Sequence, residues 1–96
     1  MKHFIVEITY TVPAEQLGDV TPEHRAYLQT GYDSGLLLFS GPQVPRVGGI
    51  AVARAASLEE IQQFFADDPY QKRGLAIYRF VEFNPVKNQA FMEPWL

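Results

Sequence analysis

The feature that most constrains the fold is a strand–helix–strand pattern that occurs twice within 96 residues. In the first copy, apolar side chains occupy every second position from Phe4 through Val6 and Ile8 to Tyr10, which is the period of a strand. Pro13 follows and closes the segment. The pattern therefore predicts a first strand that turns one face toward a core.

A helix is predicted over residues 22–34. Thr21-Pro22 supplies an N-cap followed by proline at the first helical position, and Gly35 supplies a terminator. Residues 36–40 then form a short apolar run without polar alternation, which is typical of a strand buried on both faces. Gly41-Pro42 ends this run.

The second copy begins with a predicted strand over residues 48–55. Ser57 opens a capping box, because its side-chain oxygen can accept from the amide of Glu60 while the glutamate reaches back. A helix to about Asp67 follows, and a last strand is predicted over residues 75–83. The order strand, helix, strand, strand, helix, strand is that of two split β-α-β units.

This order predicts an α+β, ferredoxin-like βαββαβ fold over residues 1–96, a single domain with a C-terminal tail from about residue 85. Right-handed crossovers place both helices on one face of a four-stranded antiparallel sheet. The other face would be bare and apolar, so we expect a homodimer joined through the sheet faces, with a higher oligomer left open. Alternatively, the aromatic tail with Phe91, Met92 and Trp95 folds back over its own sheet.

Composition excludes several classes of protein. The chain has no cysteine, which excludes disulfides, thiolate metal sites and a thiol nucleophile, and it favours a reducing compartment. Its 8 basic residues are scattered among 11 acidic ones, which argues against nucleic acid as a partner. No stretch approaches the roughly 20 apolar residues of a membrane span, so we expect a cytoplasmic protein without a membrane partner.

Motifs for metals and cofactors are also missing. No paired histidine spacing or calcium-type acidic loop is present, and Gly48-Gly49 lacks the lysine and third glycine of a phosphate cradle. We therefore expect no metal and no cofactor.

His24 is the first candidate for chemistry. Its spacing to Tyr27, Leu28 and Gly31 places it on the helix stripe that should face the sheet. The positive end of the helix disfavours the imidazolium, so a neutral ring can act as a base. The alternative is a buried structural histidine satisfied by one hydrogen bond.

Asp68 is the second candidate. It follows Phe65 by three residues and so should lie on the inner side of the second helix, at the end where the helix dipole disfavours a carboxylate. The alternative is an Asp-Pro turn whose side chain caps Tyr70 or Gln71. If the carboxylate meets His24, it can fix the imidazole tautomer and support the protonated ring.

Four further residues are predicted to bind a substrate. Gly41 lets a ligand approach the backbone closely, and Ser40 can donate a hydrogen bond to a substrate oxygen. No nucleophile elbow surrounds Ser40, so it is not predicted to be a nucleophile. Phe65 and Tyr70 are expected to line a pocket between the helices and the sheet, although such aromatics are more often core.

Six short motifs, in this order along the chain, resemble those of the YciI (YCII-related) family. The resemblance implies a dimeric α+β barrel of ferredoxin-like protomers, in which His24 and Asp68 form the proposed active site and Ser40 lines the same pocket. It also implies dehydrochlorination of a chlorinated hydroxyhydroquinone in aromatic degradation, whereas related barrels include isomerases and oxygenases. Arg25, where many relatives are apolar, and the extended tail depart from the family pattern. The motifs are Pro22-Glu23-His24-Arg25-Ala26-Tyr27-Leu28, Gly35-Leu36-Leu37, Ser40-Gly41-Pro42, Ser57-Leu58-Glu59-Glu60, Asp68-Pro69-Tyr70 and Val81-Glu82-Phe83-Asn84-Pro85.

Together these observations favour a cofactor-independent enzyme that acts on a small aromatic or ring-derived acidic substrate. His24 would move a proton, Asp68 would orient it, and Ser40 would hold a developing oxyanion. The reaction expected first is that of a lyase, such as dehydrochlorination. The alternatives are a dimer that binds a small ligand without catalysis, and a cofactor-free oxygenase or isomerase.

Overall fold

A computed structural model describes all 96 residues. Its sheet has four strands, ordered across the sheet as residues 37–42, 48–55, 2–10 and 76–83, and every neighbouring pair is antiparallel. This confirms the predicted α+β, ferredoxin-like architecture. Short 3₁₀ turns at Ala14–Gln16 and Ala90–Met92 lie outside the main elements. The strands and helices are β1 Lys2–Tyr10, α1 Val20–Asp33, β2 Leu37–Pro42, β3 Gly48–Ala55, α2 Leu58–Ala66, α3 Pro69–Lys72 and β4 Ala76–Phe83.

The core lies between the sheet and the helices. Phe4 and Val6 of β1 and Ile61 and Phe65 of α2 are all fully buried. The strand β3 presents only alanines to the helices, at positions 51, 53 and 55, and these are fully buried as well. Because small side chains at the centre of the sheet leave room above them, the larger side chains of the helices can pack close to the backbone.

The first helix begins two residues earlier than predicted. It starts at Val20, and Thr21 does not cap it; instead the Thr21 hydroxyl lies 2.8 Å from the hydroxyl of Tyr70. The helix ends at Asp33, and Gly35 just beyond it has φ +82°, a left-handed conformation that glycine adopts without strain. The prediction that Gly35 terminates the helix is therefore confirmed. The predicted cap residue, Thr21, instead makes a hydrogen bond to a residue distant in sequence.

The sequence predicts that β2 is buried on both faces. In the single chain this prediction is wrong. It is an edge strand, and along it only Leu37 is buried, while Phe39 is 58% exposed. The strand also continues through Gly41 and Pro42. Proline is tolerated there because an edge strand leaves one row of backbone groups unpaired.

The segment after α2 contains an element that the sequence reading missed. The capping box is present, with Ser57 accepting from the amide of Glu60 at 3.1 Å. However, α2 ends at Ala66, and Asp68 is the N-cap of the short helix α3, where its Oδ1 accepts from the amide of Tyr70 at 3.2 Å. The predicted conflict with a helix dipole is therefore wrong, because Asp68 stands before a helix rather than at the end of one.

The tail covers one corner of the open sheet face. The ring of Trp95 packs against His3, with centroids 5.6 Å apart, and lies under the guanidinium of Arg54 at 5.1 Å. Phe91 stays 81% exposed, and Ile77 on the same open face is 64% exposed. The tail thus folds back in part, as the alternative expected, while most of the face remains uncovered. No helix has the length and apolar character needed to cross a membrane.

Candidate active site

The side chains of His24 and Asp68 meet between α1 and the turn before α3. His24 Nδ1 lies 2.7 Å from Oδ1 and 2.9 Å from Oδ2 of Asp68. The aspartate side chain is fully buried, and the histidine side chain is 12% exposed. A carboxylate can only accept hydrogen bonds, so Nδ1 carries a proton, and in the neutral ring the lone pair is on Nε2, which has no partner within the chain.

Three donors converge on the buried carboxylate of Asp68. Besides His24, the amide of Tyr70 donates to Oδ1 at 3.2 Å and the hydroxyl of Tyr78 donates to Oδ2 at 2.5 Å. A buried charge is tolerated only when such partners compensate it. The Asp-Pro cap and the contact with histidine, which the sequence reading treated as alternatives, are therefore both present in one side chain.

Tyr78 is a fixed donor to this carboxylate. Burial raises the pKa of Tyr78 well above its ordinary value of 10, and the hydrogen bond and negative charge of Asp68 raise it further. The phenol therefore stays protonated at neutral pH and holds Oδ2 in place. This residue stands on the face of β4 that packs against the helices, where a tyrosine needs a hydrogen-bond partner for its hydroxyl. That requirement was the signal that the sequence reading missed.

Tyr70 fixes the plane of the histidine ring. The two rings are stacked, with centroids 4.0 Å apart and an angle of 10° between their planes. Tyr70 is 1% exposed and is itself held edge-on by Tyr10 at 5.8 Å and by the Thr21 hydroxyl. With Asp68 at one nitrogen and Tyr70 against one face, the imidazole has a single orientation.

A cavity of about 290 Å³ opens beside the histidine. That volume is at the lower end of ligand pockets, which span about 300 to 1,000 Å³, so it suits a molecule of one ring. Apolar side chains and tyrosines form much of its wall, and two arginines complete it. The lining residues that matter below are Ile8, Tyr10, His24, Arg25, Leu28, Tyr32, Ser40, Arg46 and Tyr70.

Ser40 and Gly41 both line this cavity, at the edge-strand side. The Ser40 hydroxyl is paired with the hydroxyl of Tyr32 from α1. Gly41 has open space where a side chain would stand, so its backbone is accessible to a ligand. Four of the predicted residues, His24, Ser40, Gly41 and Tyr70, thus share one cavity, with Asp68 buried behind it.

Phe65 is placed differently from the expectation that it lines the pocket. It is fully buried in α2 and does not border the cavity. Its ring packs edge-on against Phe64 at 5.1 Å and tilted against Tyr78 at 5.4 Å. Phe65 follows the buried stripe of α2 into the core, so it supports Tyr78 rather than a ligand.

The cavity contains functional candidates that the sequence reading did not single out. Tyr32 follows His24 by eight residues, roughly two helical turns, so helical spacing could have placed it on the same face. Arg46 lies in the loop between β2 and β3, where no periodicity indicates the direction of a side chain. The chain holds no group of three or more His, Asp or Glu side chains positioned to bind a metal ion.

This arrangement is suited to proton transfer. A neutral imidazole with a buried carboxylate on Nδ1 can accept a proton at Nε2, and the carboxylate then stabilises the imidazolium. The hydroxyls of Ser40 and Tyr32 belong to residues that line the same cavity, where they can hydrogen-bond an oxygen of the reacting molecule.

The family model of the YCII-related domain matches residues 1–84. A similar solved structure is that of 5-chloro-2-hydroxyhydroquinone dehydrochlorinase (TftG) from Burkholderia phenoliruptrix AC1100, in complex with 2,5-dihydroxybenzoquinone. The two chains are 20% identical and share the fold with a TM-score of 0.67, over 85% of this chain and 91% of the other. No curated protein matches the sequence. Because the family model covers most of the chain, this protein belongs to the YCII-related family.

Proposed function

We propose that this chain is a cofactor-independent lyase that eliminates chloride from a small chlorinated hydroxyhydroquinone, with His24 as the acid-base catalyst. The observation that carries the proposal is the contact of His24 Nδ1 with both oxygens of the buried Asp68, beside a cavity of one-ring size. Dehydrochlorination is the activity named for TftG, whose fold this chain shares.

The proton balance of this reaction suits a single histidine. Nε2 of His24 removes a proton from a phenol oxygen of the substrate and returns it to the ring carbon that carries chlorine, which gives a ketone. A second phenol proton then leaves to His24 while the electron pair of the C–Cl bond departs with chloride. The products are a hydroxyquinone, chloride and one proton, and no oxidant or reductant is consumed. Asp68 stabilises the imidazolium during both transfers.

Ser40 and Tyr32 have the role of supporting the oxygen that becomes negative. Phenolate charge develops on the substrate oxygen as the proton leaves, and a donor already in position lowers the energy of that state. Their mutual hydrogen bond orders both hydroxyls before the substrate arrives. Gly41 beside them leaves the backbone open to the ring.

Chloride release measured with an ion-selective electrode tests the proposal. Purified protein is mixed with 5-chloro-2-hydroxyhydroquinone under anaerobic conditions, which suppress oxidation of the substrate. We expect one chloride per substrate for the wild type, and a kcat lower by about 100-fold or more for His24→Gln and Asp68→Asn. Asp67→Asn is the matched control, because Asp67 is the exposed neighbour of Asp68 and should remain within twofold of wild type.

Other outcomes would contradict the proposal in distinct ways. In a parallel assay under air, with a protein-free control for spontaneous oxidation, enzyme-dependent oxygen consumption without chloride release would assign the chain to oxygenase chemistry instead. Recovery of the bound compound unchanged after hours would assign it to ligand binding without catalysis. Chloride release by His24→Gln at the wild-type rate would remove the histidine from the mechanism even if the reaction were real.

We also propose that two copies associate through the open sheet face. The proposal is supported by the exposed apolar side chains Phe39 and Ile77 on that face, since soluble monomers rarely leave such patches uncovered. Sedimentation equilibrium should give a dimer for the wild type and a monomer for Phe39→Glu. A monomeric wild type at micromolar concentration would refute the association.

A further inference from the structure

Two positively charged side chains that form no ion pair line the cavity beside His24. Arg25 of α1 and Arg46 of the loop between β2 and β3 both line it, from opposite elements. None of the lining residues is acidic. The chain as a whole has a net charge of -3, so the two arginines form a local positive site on a protein that is acidic overall.

Neither arginine has a carboxylate partner. The two arginines that do form salt bridges lie elsewhere: Arg73 pairs with Glu23 at 2.9 Å and Arg79 with Glu7 at 3.0 Å. Arg25 and Arg46 take part in no salt bridge and no side-chain hydrogen bond to an acid. A cleft lined by unpaired positive charges raises the local concentration of anions and so favours their binding.

Arg46 is connected to the ring of His24 through a series of packed aromatic side chains. Its guanidinium carbon lies 6.0 Å from the centre of the Tyr10 ring, and Tyr10 stands edge-on to Tyr70, which in turn stacks on His24. Tyr10 and Tyr70 thus form a continuous aromatic wall with the cation at Tyr10 and the base at Tyr70. A planar ring lying in the cavity would have one substituent near the guanidinium while another is within reach of the histidine.

We propose that Arg46 and Arg25 bind an anionic oxygen group, either a carboxylate or the ionised oxygen of an acidic enol, on a monocyclic substrate. The inference rests on the proposed function for the role of His24, and it adds the substrate class and the residues that select it. Arginine suits this task because its planar fork of donors matches a pair of oxygens. The apolar side chains of Ile8 and Leu28 provide contacts for the ring itself.

Calorimetric titration of the full chain tests this inference without any need for turnover. The probes are 2,5-dihydroxybenzoate and benzoate for the carboxylate, 2,5-dihydroxybenzoquinone for the acidic enol, and the neutral amides of the two acids as counterparts. We expect each carboxylate to bind at least tenfold more tightly than its amide, or the ionised quinone to bind at least tenfold more tightly than either amide. Arg46→Gln and Arg25→Gln should each weaken anion binding by about tenfold and leave amide binding unchanged. The carboxylates and the quinone distinguish the two kinds of anion.

A matched control and a separate variant complete the design. Arg79→Gln removes the same charge from the open sheet face, so it should bind the anions as the wild type does. His24→Gln should still bind them, which separates a failure of the proposed catalysis from a failure of this inference. Equal binding of anions and amides, including no binding of either, would overturn the inference. Retention of wild-type anion affinity by both arginine variants would overturn it as well.

Discussion

The imidazole of His24 lies parallel to the phenol ring of Tyr70, with 4.0 Å between the ring centres and 10° between the planes. The stack comes from two elements that are distant in sequence, α1 and the short helix α3. Asp68 immediately precedes α3 and holds the Nδ1 edge of the same imidazole. One turn of chain therefore supplies both the hydrogen bond that sets the tautomer and the surface that sets the plane.

Two replacements of Tyr70 distinguish the contribution of its ring stacking from that of its hydroxyl group. Tyr70→Phe keeps the ring and loses only the hydrogen bond with Thr21, so kcat for chloride release should stay within about threefold of wild type. Tyr70→Leu removes the ring, and kcat should fall at least about tenfold because the imidazole is no longer held in one plane. Circular dichroism checks that each variant is folded. Equal kcat values for the two variants would show that the stack does not matter.

The hydroxyl of Tyr78 should contribute to both stability and turnover. Tyr78→Phe leaves Oδ2 of the buried Asp68 without one of its donors, which costs about 1–3 kcal/mol in the free energy of unfolding. Tyr78 orients the carboxylate that in turn orients His24, and a misplaced catalytic group can cost up to about 100-fold in rate, so we expect kcat to fall by about 10-fold to 100-fold while KM changes little. Urea denaturation and steady-state kinetics measure the two effects.

Tyr27→Phe is the matched control for that variant. The Tyr27 hydroxyl donates at 2.6 Å to the backbone carbonyl of Phe64, which is a neutral acceptor, and it makes no hydrogen bond to Asp68. Its loss should cost about 1 kcal/mol and leave kcat unchanged. A fall in kcat as large as that of Tyr78→Phe would mean that general destabilisation, rather than the contact with Asp68, explains the effect.

The sequence predicts the contact between His24 and Asp68, but it does not predict the local structure that directs Asp68 toward His24. Helical spacing places His24 on the inner face of α1, and that inference needs only local periodicity. The sequence predicts Asp68 at the end of the preceding helix, whereas it is the N-cap of α3, and its inward direction comes from the turn at Pro69. A four-residue helix contributes too little periodicity to be detected in a sequence.

The charged part of the cavity could not be predicted in the same way. Arg46 belongs to a loop, and the direction of a loop side chain depends on the strands that the loop connects and on the aromatic side chains nearby. The role of Tyr78 can be predicted in part. Strand alternation places the residue on the helix side of β4, and a buried hydroxyl requires a hydrogen-bond partner. The identity of that partner, Asp68, depends on packing between α3 and β4 that only the folded chain defines.

A backbone contact between β1 and β3 should make Gly48 irreplaceable. A Cβ atom at this position would lie 1.8 Å from the carbonyl oxygen of Ile8, which belongs to the backbone and cannot rotate away. Gly48→Ala should therefore lower the free energy of unfolding by at least about 2 kcal/mol. Gly41→Ala is the control, since nothing lies within 4 Å of a Cβ there, and its stability should change by less than about 0.5 kcal/mol.

Acidification should loosen the tail at His3. Burial lowers the pKa of His3 below 6.5, and the N-terminal ammonium and Arg54 lower it further. The unfolded chain then binds the proton more readily than the folded chain, so the free energy of unfolding falls as the pH drops below about 6.5 and levels off below the folded pKa. Trp95, the single tryptophan, packs on this ring and reports the change by fluorescence.

Two variants isolate the contribution of His3 from that of every other group. His3→Phe keeps an aromatic ring against Trp95 but cannot be protonated, so the loss of stability between pH 7.5 and pH 5.5 should be smaller than in the wild type. Trp95→Ala exposes His3 to water, and an NMR titration should then find its pKa closer to 6.5. Both results follow from burial of the imidazole under the tail. An unchanged pH dependence in His3→Phe would assign the acid sensitivity of the fold to groups elsewhere in the chain.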